Sequence, residues 1–147
     1  ADLKPDEWWS RKECGQWLYH SLLTRQAPGE KPEARQSPIR PDAMAWYGTV
    51  AFLLEYDTGS ETTPRIMEKF RRYMDLAAML EETLPPILFV TVSEGRRQAV
   101  ARAFQKAQET YGPSLSQIAA KWTHLQILLE GEEVEFIRDW LRKHGKP

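Results

Sequence analysis

The spacing of apolar positions changes several times along the chain, and each change marks a new element. Near the start, Trp8, Trp9, Trp17, Leu18, Leu22 and Leu23 stand among Arg, Lys and Glu. They predict an extended piece over Glu7–Ser10 and a helix over 12–23. Residues 25–38 carry Pro28, Gly29, Pro32 and Pro38 between alternating charges, the composition of a surface loop. Two β-rich runs, 39–47 and 49–57, then flank Gly48 as the arms of a hairpin. Thr63 and Pro64 have the chemistry of a helix cap and first position. The helix they open places Ile66, Phe70, Tyr73 or Met74, Ala77 and Leu80 on one stripe.

Pro85-Pro86 leads into 87–92, a short, branched run, apolar but for Thr91, that fits a strand covered on both faces. Ser93 is placed to cap the next helix, striped by Val100, Phe104, Ala107 and Tyr111 and ended by Gly112-Pro113. Residues 122–129 alternate as a further strand, with Thr123, Leu125, Ile127 and Leu129 on one side. The last helix opens with Glu132, Glu133 and Glu135 and closes with Arg142, Lys143 and His144 before Gly145, an order that suits the helix dipole and a glycine stop. The order is β-β-α-β-α-β-α after a mixed start. It predicts an α/β fold with a mixed sheet of about four strands flanked by helices, the 87–92 strand most buried. No internal repeat is visible.

Composition narrows this picture. A chain of 147 residues suits a single domain, 1–147. Apolar and charged fractions of 41% and 28% are those of a globular protein. A net charge of −1 argues against a generally basic coat for nucleic acid, while leaving room for cations gathered on one side. The single cysteine, Cys14, excludes an internal disulfide and a thiolate zinc cluster and favours a reducing, cytoplasmic setting. No apolar run approaches the ~20 residues of a membrane span. The start, Ala1-Asp2-Leu3-Lys4-Pro5, has no signal-peptide core and reads as a cut edge. A longer parent protein is therefore expected.

Candidate chemistry centres on Asp42, Glu55 and Asp57. Glu55 and Asp57 are two apart and share one strand face. A turn between Tyr47 and Gly48 makes paired positions sum to 95, which sets Asp42 opposite Leu53 and diagonal to Glu55 on that same face. A register shift of one residue moves Asp42 to the other face. Acids gathered at a sheet edge are costly unless they bind something, and Mg2+ or Mn2+ is the usual candidate. The following helix supplies Arg65, Lys69, Arg71 and Arg72. Lys69 and Tyr73, one turn apart, flank its buried stripe, so one of these side chains is placed to lean over the sheet toward the acids, and a lysine there would stabilise charge developing on a scissile phosphate. The bland alternative is that the acids begin strands and turns and the cations are a solvated helix face.

Pro41-Asp42 followed by an acid–x–acid strand resembles the PD-(D/E)XK nuclease superfamily. More narrowly, the segments 39–43, 54–61, 69–73 and 86–94, taken in order, resemble the replication-relaxation family. The resemblance runs over roughly residues 8–110. It implies a restriction-endonuclease-like core and a role in plasmid replication and relaxation of plasmid DNA. It further implies metal ligation by Asp42, Glu55 and Asp57, with Glu55, Asp57 and Lys69 as the catalytic set for phosphodiester cleavage or nicking. Two departures stand out. Asp57 occupies the place of the usual ExK lysine, with Lys69 as a migrated substitute, and the superfamily's first core helix and the family's upstream DNA-binding part are not seen.

The alternative is a catalytically inactive nuclease-like module that binds DNA or a replication partner through Arg65, Lys69, Arg72, Arg96, Arg97 and Arg102. The oligomeric state stays open, a dimer included. Asp57-Thr58-Gly59 also spells the aspartic-protease triplet, but a turn explains it and the scaffold is not all-β. Tyr56 and Tyr73 near the acids suggest a tyrosine nucleophile, yet His20, His124 and His144 are too dispersed for the histidine metal site that goes with one. Trp8, Trp9 and Trp17 suit base stacking or, more simply, packing.

Overall fold

The computed structural model describes residues 4–18, 41–79, 84–111 and 124–145. Among these residues five strands and four helices follow in the order β1 (Glu7–Ser10), α1 (Arg11–Leu18), β2 (Ala43–Tyr47), β3 (Val50–Asp57), α2 (Thr63–Met79), β4 (Ile87–Thr91), α3 (Glu94–Tyr111), β5 (Leu125–Leu129) and α4 (Glu132–His144). They form one mixed sheet in the order β1-β2-β3-β4-β5, antiparallel from β1 to β3 and parallel from β3 to β5. The expected α/β class holds, with five strands rather than about four. The extra one is the extended N-terminal piece. Trp8 and Trp9 pair with Ala45 and Met44, and the Asp6 N–H donates to the Trp46 carbonyl, so β1 is tied in as an edge strand. The expected stretch of α1 to Leu23, the loop 25–38, Ile39, Arg40, Leu80, Gly112-Pro113 and Trp122-Thr123 lie outside the described residues.

The hairpin differs in register. Tyr47 pairs with Val50 and Ala43 with Leu54, so partners sum to 97 and the turn residues are Gly48 and Thr49. Gly48 has φ 64 and Thr49 has no positive φ, the pattern of a type II′ turn with glycine first. A shift of two positions preserves faces. It brings Asp42 from a diagonal place to one directly opposite Glu55.

Both faces of the sheet are covered. Met44, Leu53, Ile87 and Phe89 pack under α1, α2 and α3 against Cys14, Ile66, Phe70, Met74, Val100 and Ala103. Ala43, Ala45, Phe52, Leu54 and Leu88 face α4 through Phe136, Ile137, Trp140 and Leu141. Two-sided cover explains why all five residues of β4 are buried while Val92, just beyond its end, is not. The first helical bond of α2 runs from the Ile66 N–H to the Thr62 carbonyl, which places the cap at Thr62, one residue before the expected Thr63. Ser93 caps α3 as expected: its hydroxyl accepts from the Arg96 N–H at 3.2 Å. Cys14 is fully buried, and burial together with Glu13 and Glu55 pushes its thiol up to about 12, so it is inert. No helix among the described residues is long and apolar enough to cross a membrane.

Phe70 anchors the α2–α3–β4 contact, with ring centroids 5.3 Å from Phe89 and 5.0 Å from Phe104. Phe70→Ala is expected to destabilise the domain by roughly 3–5 kcal/mol, read as a lower urea midpoint at unchanged m-value. Val134→Ser, on an exposed position of α4, is expected to stay within about 0.5 kcal/mol of wild type in the same measurement.

Candidate functional site

The site lies at the carboxyl ends of β3 and β4, which are neighbours and parallel, beneath the first three turns of α2 and the first turn of α3. In open α/β sheets this edge is where ligands bind, because helices leave the sheet there and their N-termini face the gap. β3 alternates its side chains, so Glu55 and Asp57 point with Leu53 toward α2 and α3 while Tyr56 points the other way, 41% exposed. Both acids are buried, each at 1%.

Glu55 carries the unusual chemistry. One oxygen, Oε1, accepts a hydrogen bond from the Tyr73 hydroxyl at 2.8 Å, and Oε2 lies 3.4 Å from Lys69 Nζ. Burial pushes its carboxyl up to about 7; Asp42 adds to the rise, and Lys69 and Tyr73 oppose it. Lys69 is shared. Its ammonium also meets Glu61 Oε1 at 2.6 Å, and although burial works against its charge, Glu55 and Glu61 raise its pKa. Tyr73 is pushed well above a normal phenol, first by burial and then by Glu55, so it remains a hydroxyl donor.

Asp57 belongs to a separate pair. Arg96 grips it with two bonds, Nε to Oδ2 at 2.7 Å and Nη2 to Oδ1 at 2.8 Å, and donates a third to the Glu61 carbonyl at 3.0 Å. The Gly59 N–H adds a bond to Oδ1 at 3.2 Å, made within a turn where Gly59 has φ 91. Burial alone would raise the Asp57 pKa; the Arg96 bonds outweigh it and hold the carboxylate below its ordinary value. Asp42 serves the sheet. Its Oδ2 accepts from the Tyr56 N–H at 2.8 Å, one rung beyond the end of β2.

The sequence-derived acids are thus brought to one sheet edge, with Asp42 beside Glu55 and Asp57 turned to Arg96. Among the described residues, no group of three or more Asp, Glu, His or Cys is arranged to hold a metal ion. Five of the six oxygens of Asp42, Glu55 and Asp57 already accept from protein donors, which works against the octahedral oxygen shell that Mg2+ or Mn2+ takes. The cations divide as well. Lys69 and Arg96 turn inward, whereas Arg65 is exposed, Arg72 pairs with Glu68 at 3.3 Å, and Arg97 pairs with Glu94 at 2.6 Å, both within one helix. Arg102 is also exposed.

Sequence reading did not assign Glu61 to the site or Arg96 to Asp57. The signal for the second was available: parallel pairing of β3 with β4 sets the first turn of α3 next to the end of β3.

A model of the replication-relaxation family matches residues 1–85, which include Asp42, Glu55, Asp57, Glu61, Lys69 and Tyr73. No curated protein and no solved structure matches the chain.

The raised Glu55 pKa makes stability pH-dependent. A carboxyl near 4.5 when unfolded and about 7 when folded holds its proton preferentially in the native state. Its contribution is complete below the unfolded value and is lost as pH climbs through the folded one. The stability of wild type relative to Glu55→Gln is therefore expected to fall between those two pH values, by about 3 kcal/mol at most. Urea denaturation of both proteins across that window checks it; a constant difference would show that Glu55 is not held protonated by the fold.

Proposed function

Because that match spans 85 of 147 residues, the chain belongs to the replication-relaxation family, and we propose that it handles DNA in the replication or relaxation of plasmid or other mobile DNA by gripping backbone phosphates without cutting them. One observation carries this reading. The carboxylates of the expected metal-ligand set are engaged by Tyr56, Tyr73, Lys69 and Arg96, while Arg65, Arg72 and Arg97 stand outside and, among the described residues, are held by nothing stronger than same-helix carboxylates. Exposed pairs of that kind contribute about 0–1 kcal/mol, so an arriving phosphate can replace the glutamate at little cost. Arg65 and Arg72 are seven apart on α2 and share one side of the helix. The partner is duplex DNA, with replication proteins as further partners.

A second reading rests on a different observation. Pro41-Asp42 leads into β2, with Asp42 in register opposite Glu55 on β3 and Lys69 bonded to that glutamate. That is the placement implied by a restriction-endonuclease-like PD-(D/E)XK core in a metal-dependent endonuclease or nickase. On that reading Asp42, Glu55 and Asp57 are the metal ligands, Mg2+ or Mn2+ is the cofactor, and Lys69 faces the phosphate. It requires Asp57 to leave Arg96.

Supercoiled plasmid incubated with Mg2+ or Mn2+ separates the two. Wild type and Glu55→Ala are both expected to leave it intact; nicking by wild type that disappears in Glu55→Ala would replace the first reading with the second. Binding tests the first reading directly. Arg65→Ala with Arg72→Ala is expected to weaken duplex binding and lower the log–log salt slope by about 0.9 for each phosphate no longer neutralised, at unchanged thermal stability. Equal binding at every salt concentration would reduce this helix face to a solvated surface.

A further inference from the structure

Four carboxylates, Asp42, Glu55, Asp57 and Glu61, converge on the end of β3, and the resemblance in sequence places a divalent metal among the first three. The side chains that stand there instead are Lys69 and Arg96. Lys69 Nζ lies between Glu55 at 3.4 Å and Glu61 at 2.6 Å, and Asp42 contributes to raising its pKa. Arg96 uses both Asp57 oxygens and the Glu61 carbonyl. Both cations are fixed in place by the fold. Lys69 keeps 22% and Arg96 24% of side-chain exposure, and each links the turn between β3 and α2 to a helix.

We infer that Lys69 and Arg96 are built-in counter-cations standing in place of the divalent metal, so the folded domain takes up no such metal at Asp42, Glu55 and Asp57. The chemistry favours this directly. Mg2+ demands near-ideal octahedral oxygen geometry and Mn2+ favours oxygen ligands, whereas here five of the six oxygens of Asp42, Glu55 and Asp57 accept from an ammonium, a guanidinium, a phenol and two main-chain N–H groups. Removing the lysine leaves Glu55 with only Tyr73 and its own proton to offset burial and leaves Glu61 without its cation, which costs the fold stability unless the Glu55 carboxyl is replaced by a neutral amide too. The inference deepens the non-cutting reading above but does not depend on the outer face of α2. Metal uptake by wild type would overturn it and leave phosphate gripping standing, whereas failed DNA binding would leave it untouched.

The test is carried out on the full chain. Wild type titrated with millimolar Mn2+ is expected to leave the electron paramagnetic resonance signal of free Mn2+ undiminished and its own Tm unmoved. Stoichiometric loss of that signal, abolished by Glu55→Gln, would overturn the inference. Lys69→Met is expected to lower Tm by several degrees, and Lys69→Met with Glu55→Gln to recover most of the loss. Where Lys69→Met does not fold at all, a cooperative thermal transition in the double variant supports the inference and its absence overturns it. A Lys69→Met protein with the Tm of wild type would also overturn it, since the lysine would then compensate nothing.

Discussion

A carboxylate at position 55 is held at 1% exposure inside a sheet with helices on both sides, and much of the local architecture answers the cost of keeping it there. An isolated charge in such a place is untenable, so the group must gain donors or keep its proton. The fold does both. Tyr73 reaches it from the third turn of α2, Lys69 from one turn earlier, and burial shifts its ionisation toward neutrality. The spacing of those two partners, four residues on one helix, fixes how α2 lies over β3. The apolar contacts of Ile66, Phe70 and Met74 hold the same orientation, so packing and polar satisfaction agree on one geometry.

The second acid pair extends the same logic sideways. Parallel β3 and β4 end level with one another, with Asp57 paired to Thr91, and α3 begins three residues later. Arg96 therefore arrives beside Asp57 as a consequence of strand direction. Its bond to the Glu61 carbonyl ties the intervening turn, and Glu61 in turn shares Lys69 with Glu55. Two ion pairs that look independent along the chain are joined through one turn of five residues, 57–61. Coupled polar groups of this sort act as a unit, which rigidifies the carboxyl edge.

That rigidity bears on function. On the proposed reading, an edge whose acids and cations are already matched offers little to a metal ion or to an external phosphate. The same reading assigns phosphate binding to the outer cations, Arg65 and Arg72 on α2 and Arg97 on α3. Such a surface carries no sequence information and gives affinity that falls with salt. It suits a module that holds DNA for another activity of a replication-relaxation protein. The family match covers the inner network up to Lys69 and Tyr73 and stops before Arg96.

Much of the fold was legible in the sequence because local rules govern it. Residues 87–92 could be read as a central strand from a run that is apolar but for Thr91, α2 from its stripe through Ile66, Phe70 and Ala77, and α4 from its charge gradient and Gly145. The acids were legible as a group because a period of two puts Glu55 and Asp57 on one face. Tertiary structure decided the rest. The turn at Gly48 and Thr49 set the register that brings Asp42 opposite Glu55, and hydrogen bonding to β2 made Glu7–Ser10 a strand. Which cation meets which acid was also settled in three dimensions: Lys69 to Glu55 and Glu61, Arg96 to Asp57 from 39 residues away. Helical and strand periodicity act over a few residues and can be read along the chain, whereas charge pairing depends on distances that exist only once the strands are ordered and the helices are laid across them.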